Sequence, residues 1–220
     1  MLQPIIHVLN AQKIILASSS PRRKQLLENI GLKFDVLSST FEENLDKSKY
    51  TPSEYVLETA RLKTQEVAEK LRVSGSLPDL LIGADTVVSQ DNEIFEKPRD
   101  KSDAVRILSC LNGKSHTVFT GVVIFVPAHS KVLPMGTTAL NASYRYTGFV
   151  ESTDVYMQEM SPEIIHSYIE TGEPMDKAGA YGIQVIGGTL VEKIHGDFFN
   201  VMGFPVPRFS KELLAIYKNS

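Results

Sequence analysis

Ser18-Ser19-Ser20-Pro21-Arg22-Arg23 sets three hydroxyls and two guanidinium groups around a proline. The short apolar run Lys13-Ile14-Ile15-Leu16-Ala17 before it reads as a buried strand. Pro21 then opens a helix with Ser20 as its N-cap. Backbone N–H groups and the positive end of the helix dipole gather at such a turn. Cations in a first helical turn are disfavoured by about 0.3–1 kcal/mol each, so something must offset Arg22 and Arg23. A phosphate is the simplest candidate, because guanidinium forks match its oxygens. The alternative is that both arginines face solvent or pair with nearby acids.

Other residues fit the same chemistry. Lys63 lies on the apolar stripe formed by Val56, Ala60, Val67 and Leu71, so it either snorkels past the core edge or reaches into a cavity holding negative charge. Asp85 interrupts the buried-strand pattern Leu80-Leu81-Ile82-Gly83-Ala84-Asp85-Thr86-Val87-Val88. A carboxylate there requires a cation, hydrogen bonds or a raised pKa, unless it merely caps a turn. Glu43 sits in an acidic stretch where a solvated charge is the default, and Lys97 is fixed by Pro98 beside a helix cap. Gln184, on the Gly-rich stretch Gly179-Ala180-Tyr181-Gly182-Ile183-Gln184, offers an amide suited to a nucleobase edge. Basic groups, helix N–H dipoles and two carboxylates together suit a polyphosphate with a divalent cation.

The elements that position these residues alternate between strand and helix. Phe34 to Leu37 reads as a second strand and Glu42 to Lys49 as loop. Thr51-Pro52-Ser53-Glu54 is a capping box opening a helix that runs to about Arg72, with Gly75 beyond it. After the strand around Asp85, Asp91-Asn92 predicts a turn and Glu93 to Phe95 a return strand. Asp100 caps the next helix, which Asn112-Gly113 closes. Thr117 to Val126 predicts a long strand, and Tyr144 to Tyr156 one or two more. Ser161-Pro162 opens a helix ended by Gly172; Thr189 to Ile194 reads as strand and Pro207 to Tyr217 as helix. This order predicts an α/β fold with antiparallel strands in its middle, folded as one compact unit.

Composition removes several classes. The 220 residues are 42% hydrophobic and 22% charged, which excludes disordered and fibrous chains. Lys and Arg number 23 against 26 Asp and Glu, a net charge of −3 that argues against wholesale binding of nucleic acid polymers. Cys110, the single cysteine, excludes an internal disulfide and reads as a buried structural thiol. His7, His116, His129, His166 and His195 show no metal-ligand spacing. No apolar run suits a membrane span or signal segment, so the expectation is a cytoplasmic protein with no membrane partner. A P-loop, a G-x-S-x-G elbow and a C-x-x-C motif are all absent.

The linked motifs carry a resemblance. Ala17-Ser18-Ser19-Ser20-Pro21-Arg22-Arg23, Glu42-Glu43, Ala60-Arg61-Leu62-Lys63, Ile82-Gly83-Ala84-Asp85-Thr86 and Glu96-Lys97-Pro98-Arg99-Asp100 follow one another in order. Asp176-Lys177-Ala178-Gly179-Ala180-Tyr181-Gly182-Ile183-Gln184 and Asn200-Val201-Met202-Gly203-Phe204-Pro205 complete the series. This chain closely resembles the Maf family of nucleoside triphosphate pyrophosphatases across residues 12–217. It is also similar to the Maf-type domains that precede a methyltransferase domain in some chains, and no such segment is expected here. The resemblance implies an elongated mixed sheet with flanking helices, related to inosine triphosphatases. It implies a single domain over residues 1–220, with two lobes around a deep cleft.

It further implies hydrolysis between the α and β phosphates of a nucleoside triphosphate. By motif, Asp85 would accept the proton of the attacking water and hold a divalent metal with Glu43. Ser20, Arg23, Lys63 and Lys97 would hold the phosphates. Arg22, Thr86 and Gln184 would select the base, matching the dTTP/UTP branch rather than the 7-methyl-GTP branch. The implied cation is magnesium or manganese, with cobalt as a third option, and a homodimer is open to the family. Ser19, where Gly or Ala is common, and a longer loop from Val126 to Leu140 are the small departures. Two alternatives remain: a nucleotide-binding regulatory module without turnover, and a 7-methyl-GTP pyrophosphatase.

Overall fold

The computed structural model describes residues 1–130 and 138–218. In chain order it runs α1 (Ile6–Leu9), β1 (Ile14–Ala17), α2 (Pro21–Asn29), β2 (Asp35–Val36), α3 (Pro52–Val73), β3 (Leu80–Gln90), β4 (Glu93–Phe95) and α4 (Lys101–Leu111). It continues with β5 (Ser115–Pro127), β6 (Thr138–Ala139), β7 (Tyr144–Met157), α5 (Pro162–Glu170), β8 (Val191–His195), α6 (Phe198–Val201) and α7 (Val206–Lys218). Short 3₁₀ turns fill much of the stretch between α5 and β8. No described helix is long and apolar enough to cross a membrane.

Local chemistry starts the helices where the sequence places them. Ser20 caps α2, Asp100 caps α4 and Ser161 caps α5, each accepting from the N–H three residues on. Thr51 and Glu54 complete the capping box of α3. Asp91 and Asn92 both take positive φ, 51° and 65°, the conformation a two-residue hairpin needs between β3 and β4. The predicted strand from Tyr144 is one continuous strand, β7. Three short elements escape the sequence pattern: α1, β6 and α6. Of the longer loop expected at Val126 to Leu140, residues 131–137 lie outside the described residues.

The strands form one mixed sheet of order β2-β1-β3-β5-β7-β6, with β4 added to β3 and β8 to β7. Among the described residues, only the β1–β2 and β1–β3 pairs are parallel. Alternation sends Ile14, Leu16, Leu80, Ile82 and Ile124 to a core under α2 and α7. Ile15, Ala17, Leu81, Val123 and Phe125 go to the opposite core under α3. Val67 and Leu71 of α3 are buried there, each contributing about 1.5–3 kcal/mol. A third core joins α4 and α5 to Val88, Val118 and Val155. Cys110 is half-buried against this core rather than enclosed, because α4 turns the cysteine towards its edge.

Candidate active site

The site begins with a gap in the sheet. On one edge of β3, β1 pairs up to Gly83, opposite Ala17, and β4 resumes pairing at Val88. Among the described residues, Ala84 to Val87 therefore have no strand on that side. The chain leaving β1 turns through Ser18–Ser20 into α2, so the start of α2 borders the same gap. With β1 connected through α2 to β2 on one side and paired with β3 on the other, the gap lies at a topological switch point, the usual place for a ligand in such sheets. A cleft of about 560 Å³ opens there, lined by Ser20, Arg22, Arg23, Glu43, Lys63, Asp85, Thr86, Lys97 and Gln184 among others. All nine sequence-selected residues thus meet in one cavity.

Asp85 and Thr86 leave β3 on opposite faces. Asp85 points to α3. Gly83 lets that helix come close, since a Cβ there would sit 1.6 Å from Thr64 Oγ1. Lys63, one residue before Thr64, then places Nζ 2.7 Å from Asp85 Oδ1 and 2.6 Å from Glu43 Oε1. Burial pushes the Asp85 carboxyl above its usual range, while Lys63 and Arg23 pull it back and Glu43 adds to the rise. Glu43 comes from an exposed loop that Glu66 of α3 tethers, accepting from Ser39 Oγ at 2.8 Å and from the Thr40 N–H at 3.1 Å. Against the cost of burial, hydrogen bonds from Lys70, Ser39 and Thr40 hold Glu66 down to about 2.

Thr86 points to α2. Its Oγ1 accepts from Arg23 Nη2 at 2.9 Å, while Arg23 Nη1 donates to the Ala84 carbonyl at 2.7 Å and Nε to the Gly203 carbonyl at 2.9 Å. Burial lowers the Arg23 pKa, opposed by the charge of Asp85. Arg22 pairs with Asp176, Nη1 to Oδ2 at 3.0 Å. The unfavourable position of the two cations at the α2 N-terminus is thus offset within the protein, by a carboxylate for Arg22 and by carbonyl oxygens for Arg23.

Lys97 is exposed at the cleft and has no ion pair or hydrogen bond among the described residues. Gln184 is exposed on the opposite stretch of chain. Glu43, Asp85, Asp176 and Glu96 are the carboxylates lining the cleft, and composition and spacing gave no signal for Glu96. It accepts from Tyr55 OH at 2.7 Å and pairs with Lys47 Nζ at 2.6 Å. Its motif position beside Lys97 is the one feature that could have found it.

The fold and cleft define a mixed-sheet α/β protein with a mixed-charge cavity at a switch point. The chain belongs to the family described as Maf-like protein, whose profile matches residues 13–216. A human protein, "Probable bifunctional dTTP/UTP pyrophosphatase/methyltransferase protein", is 48% identical over 219 residues. That alignment takes in 99% of this chain, which spans only 34% of the human protein's length. The "dTTP/UTP pyrophosphatase" of Dictyoglomus turgidum is 45% identical over 202 residues, covering 92% of this chain and 95% of that one. A protein of the same name from Clostridium perfringens is 40% identical over 201 residues, covering 91% and 95%.

Proposed function

We propose that this protein is a nucleoside triphosphate pyrophosphatase acting on dTTP, UTP and related or modified pyrimidine nucleotides. It would release the monophosphate and pyrophosphate and so clear non-standard nucleotides from the pool. The observation that carries this reading is Lys63 held between Asp85 and Glu43 in the cleft, with Arg23 and Lys97 on its walls. The names of the relatives from Dictyoglomus and Clostridium, matched over nearly their full lengths, support it.

In the reaction, the triphosphate lies along Lys63, Lys97, Arg23 and the Ser20 turn, whose charges and N–H groups neutralise its oxygens. A water attacks the α-phosphorus and Asp85 Oδ takes its proton. The new O–P bond forms as the bridging oxygen to the β-phosphorus leaves with its electron pair in pyrophosphate. Burial keeps Asp85 basic enough for this and shields it from bulk water. Thr86, Arg22 and Gln184 face the base.

Asp85 and Glu43 fit a divalent cation by their hard oxygens, which magnesium and manganese take. Both contact Lys63 Nζ, so a cation between them would take the place of that ammonium and free it for the phosphates. Among the described residues no group of three or more His, Cys, Asp or Glu side chains forms a metal cage, so substrate phosphates would complete the shell. When bound, the cation supplies Lewis-acid neutralisation of phosphate charge.

The test is pyrophosphate release from dTTP, UTP, CTP, GTP and 7-methyl-GTP with magnesium or manganese. Selective release from dTTP and UTP, abolished by EDTA, is expected. Orthophosphate as product, or preference for 7-methyl-GTP, overturns the assignment. Stable nucleotide binding with no product replaces it with a regulatory module.

A further inference from the structure

Two side chains outside the cleft close the loop that carries Gln184. Gly182 N–H donates to Tyr168 OH at 3.1 Å, and Tyr168 OH donates to Glu173 Oε1 at 3.1 Å. The same Oε1 accepts from Gly187 N–H at 3.1 Å, and Oε2 accepts from Ile186 N–H at 3.1 Å. The two ends of the loop also touch: a Cβ on Gly187 would lie 2.5 Å from the Gly182 carbonyl oxygen and 2.3 Å from Tyr168 OH. One hydroxyl and one carboxylate therefore tie both ends of residues 182–187 at a single neck.

The neck chemistry is specific. A carboxylate has no proton of its own, so both oxygens can accept from the two backbone N–H groups and the phenol. Burial raises the Tyr168 pKa, so the phenol keeps the proton it donates. Lys177 Nζ anchors the segment from below by donating to the Glu173 carbonyl at 2.5 Å. Beyond the neck, Gly182, Ile183 and Gln184 line the cleft, whereas Tyr168 and Glu173 do not. Val185 and Ile186 are 67% and 48% exposed, so the apolar contact on this stretch is that of Ile183, half-buried against the core under α2 and α7. Two supports therefore seat the stretch that carries Gln184: the neck at its ends and Ile183 on the core.

We propose that Tyr168 and Glu173 are positioning residues for base selection, fixing the loop so that the Gln184 amide meets the nucleobase. The inference rests on the reading of Gln184 as a base-contacting residue.

The experiment compares kcat/KM for dTTP with that for CTP and GTP in Tyr168→Phe, Glu173→Gln, Gln184→Ala and the double variant Gln184→Ala/Tyr168→Phe. Tyr168→Phe keeps the buried ring and removes both of its hydrogen bonds, and circular dichroism checks folding. Each neck variant is expected to lower the dTTP preference about 3- to 10-fold, chiefly through KM for dTTP. Gln184→Ala lowers it at least as far, and the double variant goes no further than Gln184→Ala alone. Inhibition by inorganic tripolyphosphate, which has no base, stays near the wild-type value. A uniform loss on every nucleotide with the preference intact means a structural role and overturns the proposal. If Gln184→Ala abolishes the preference and Tyr168→Phe leaves it, the neck fails while the base reading stands. If Gln184→Ala leaves the preference unchanged, the base reading itself fails and takes the neck's role with it.

Discussion

Lys63 and Asp85 form an ion pair of 2.7 Å with only 18% and 8% of their side chains exposed. Desolvation makes such a pair at best weakly stabilising, and apolar replacements of similar volume are often as stable or more so. Its presence beneath a cleft therefore points to chemistry rather than to folding. Asp85→Asn keeps the shape and removes the proton acceptor. Pyrophosphate release is expected to fall by about 10²-fold or more while a non-hydrolysable dTTP analogue still binds. Full turnover in a folded Asp85→Asn protein would take Asp85 out of the reaction.

Breaking the pair from the other side tests its energetics. Lys63→Met leaves the Asp85 carboxylate buried without its nearest countercharge, at a cost of about 3–5 kcal/mol in urea unfolding at neutral pH. Lys63→Met/Asp85→Leu should recover most of that stability and none of the activity. A single variant as stable as the wild type would mean that solvent already screens the pair.

The features legible in the sequence were those whose cause is local. The caps at Ser20, Thr51, Asp100 and Ser161 lie within a few residues of the N–H groups they satisfy. Asp85 and Lys63 stood out because each breaks an apolar pattern of its own strand or helix. Glu96 and Asp176 broke no pattern, and their partners Tyr55 and Arg22 lie 41 and 154 positions away. Their pairing is set by the sheet order, which spacing along the chain does not encode. The four-residue helices α1 and α6 are too short to show a period. That distant motifs share one cleft was legible only through the family resemblance.

His116 makes stability pH-dependent in a window of its own. It is 3% exposed, with Nε2 2.7 Å from Tyr181 OH, and burial lowers its pKa from 6.5 to about 4. Between those values the unfolded chain binds a proton at this site and the folded chain does not. Stability therefore falls as pH drops from about 6.5 towards 4, by about 2–4 kcal/mol in all, and this loss levels off below. Glu66 and Asp103, both held down to about 2, lose their contributions only in more acid solution. Urea midpoints at pH 7 and pH 4.5 should converge in His116→Gln relative to wild type; an unchanged difference would place the titration elsewhere.

The seat of α3 on the sheet links stability to the site. At Gly121 of β5 a Cβ would lie 2.8 Å from the Val56 carbonyl oxygen and 2.9 Å from Leu57 Cα. Both are backbone atoms in the first turns of α3, so no side chain can swing aside. Gly121→Ala must lift the helix, at a cost of about 1–3 kcal/mol, and draw Lys63 away from Asp85. Gly75, just past the end of α3, has φ +69° and nothing within 4 Å of its would-be Cβ. Gly75→Ala therefore costs only the backbone strain, about 1 kcal/mol, and leaves turnover alone. Stability and turnover measured side by side should fall together in Gly121→Ala and separate in Gly75→Ala. Wild-type turnover in a destabilised Gly121→Ala protein would show that the Lys63–Asp85 contact does not depend on the depth at which α3 packs.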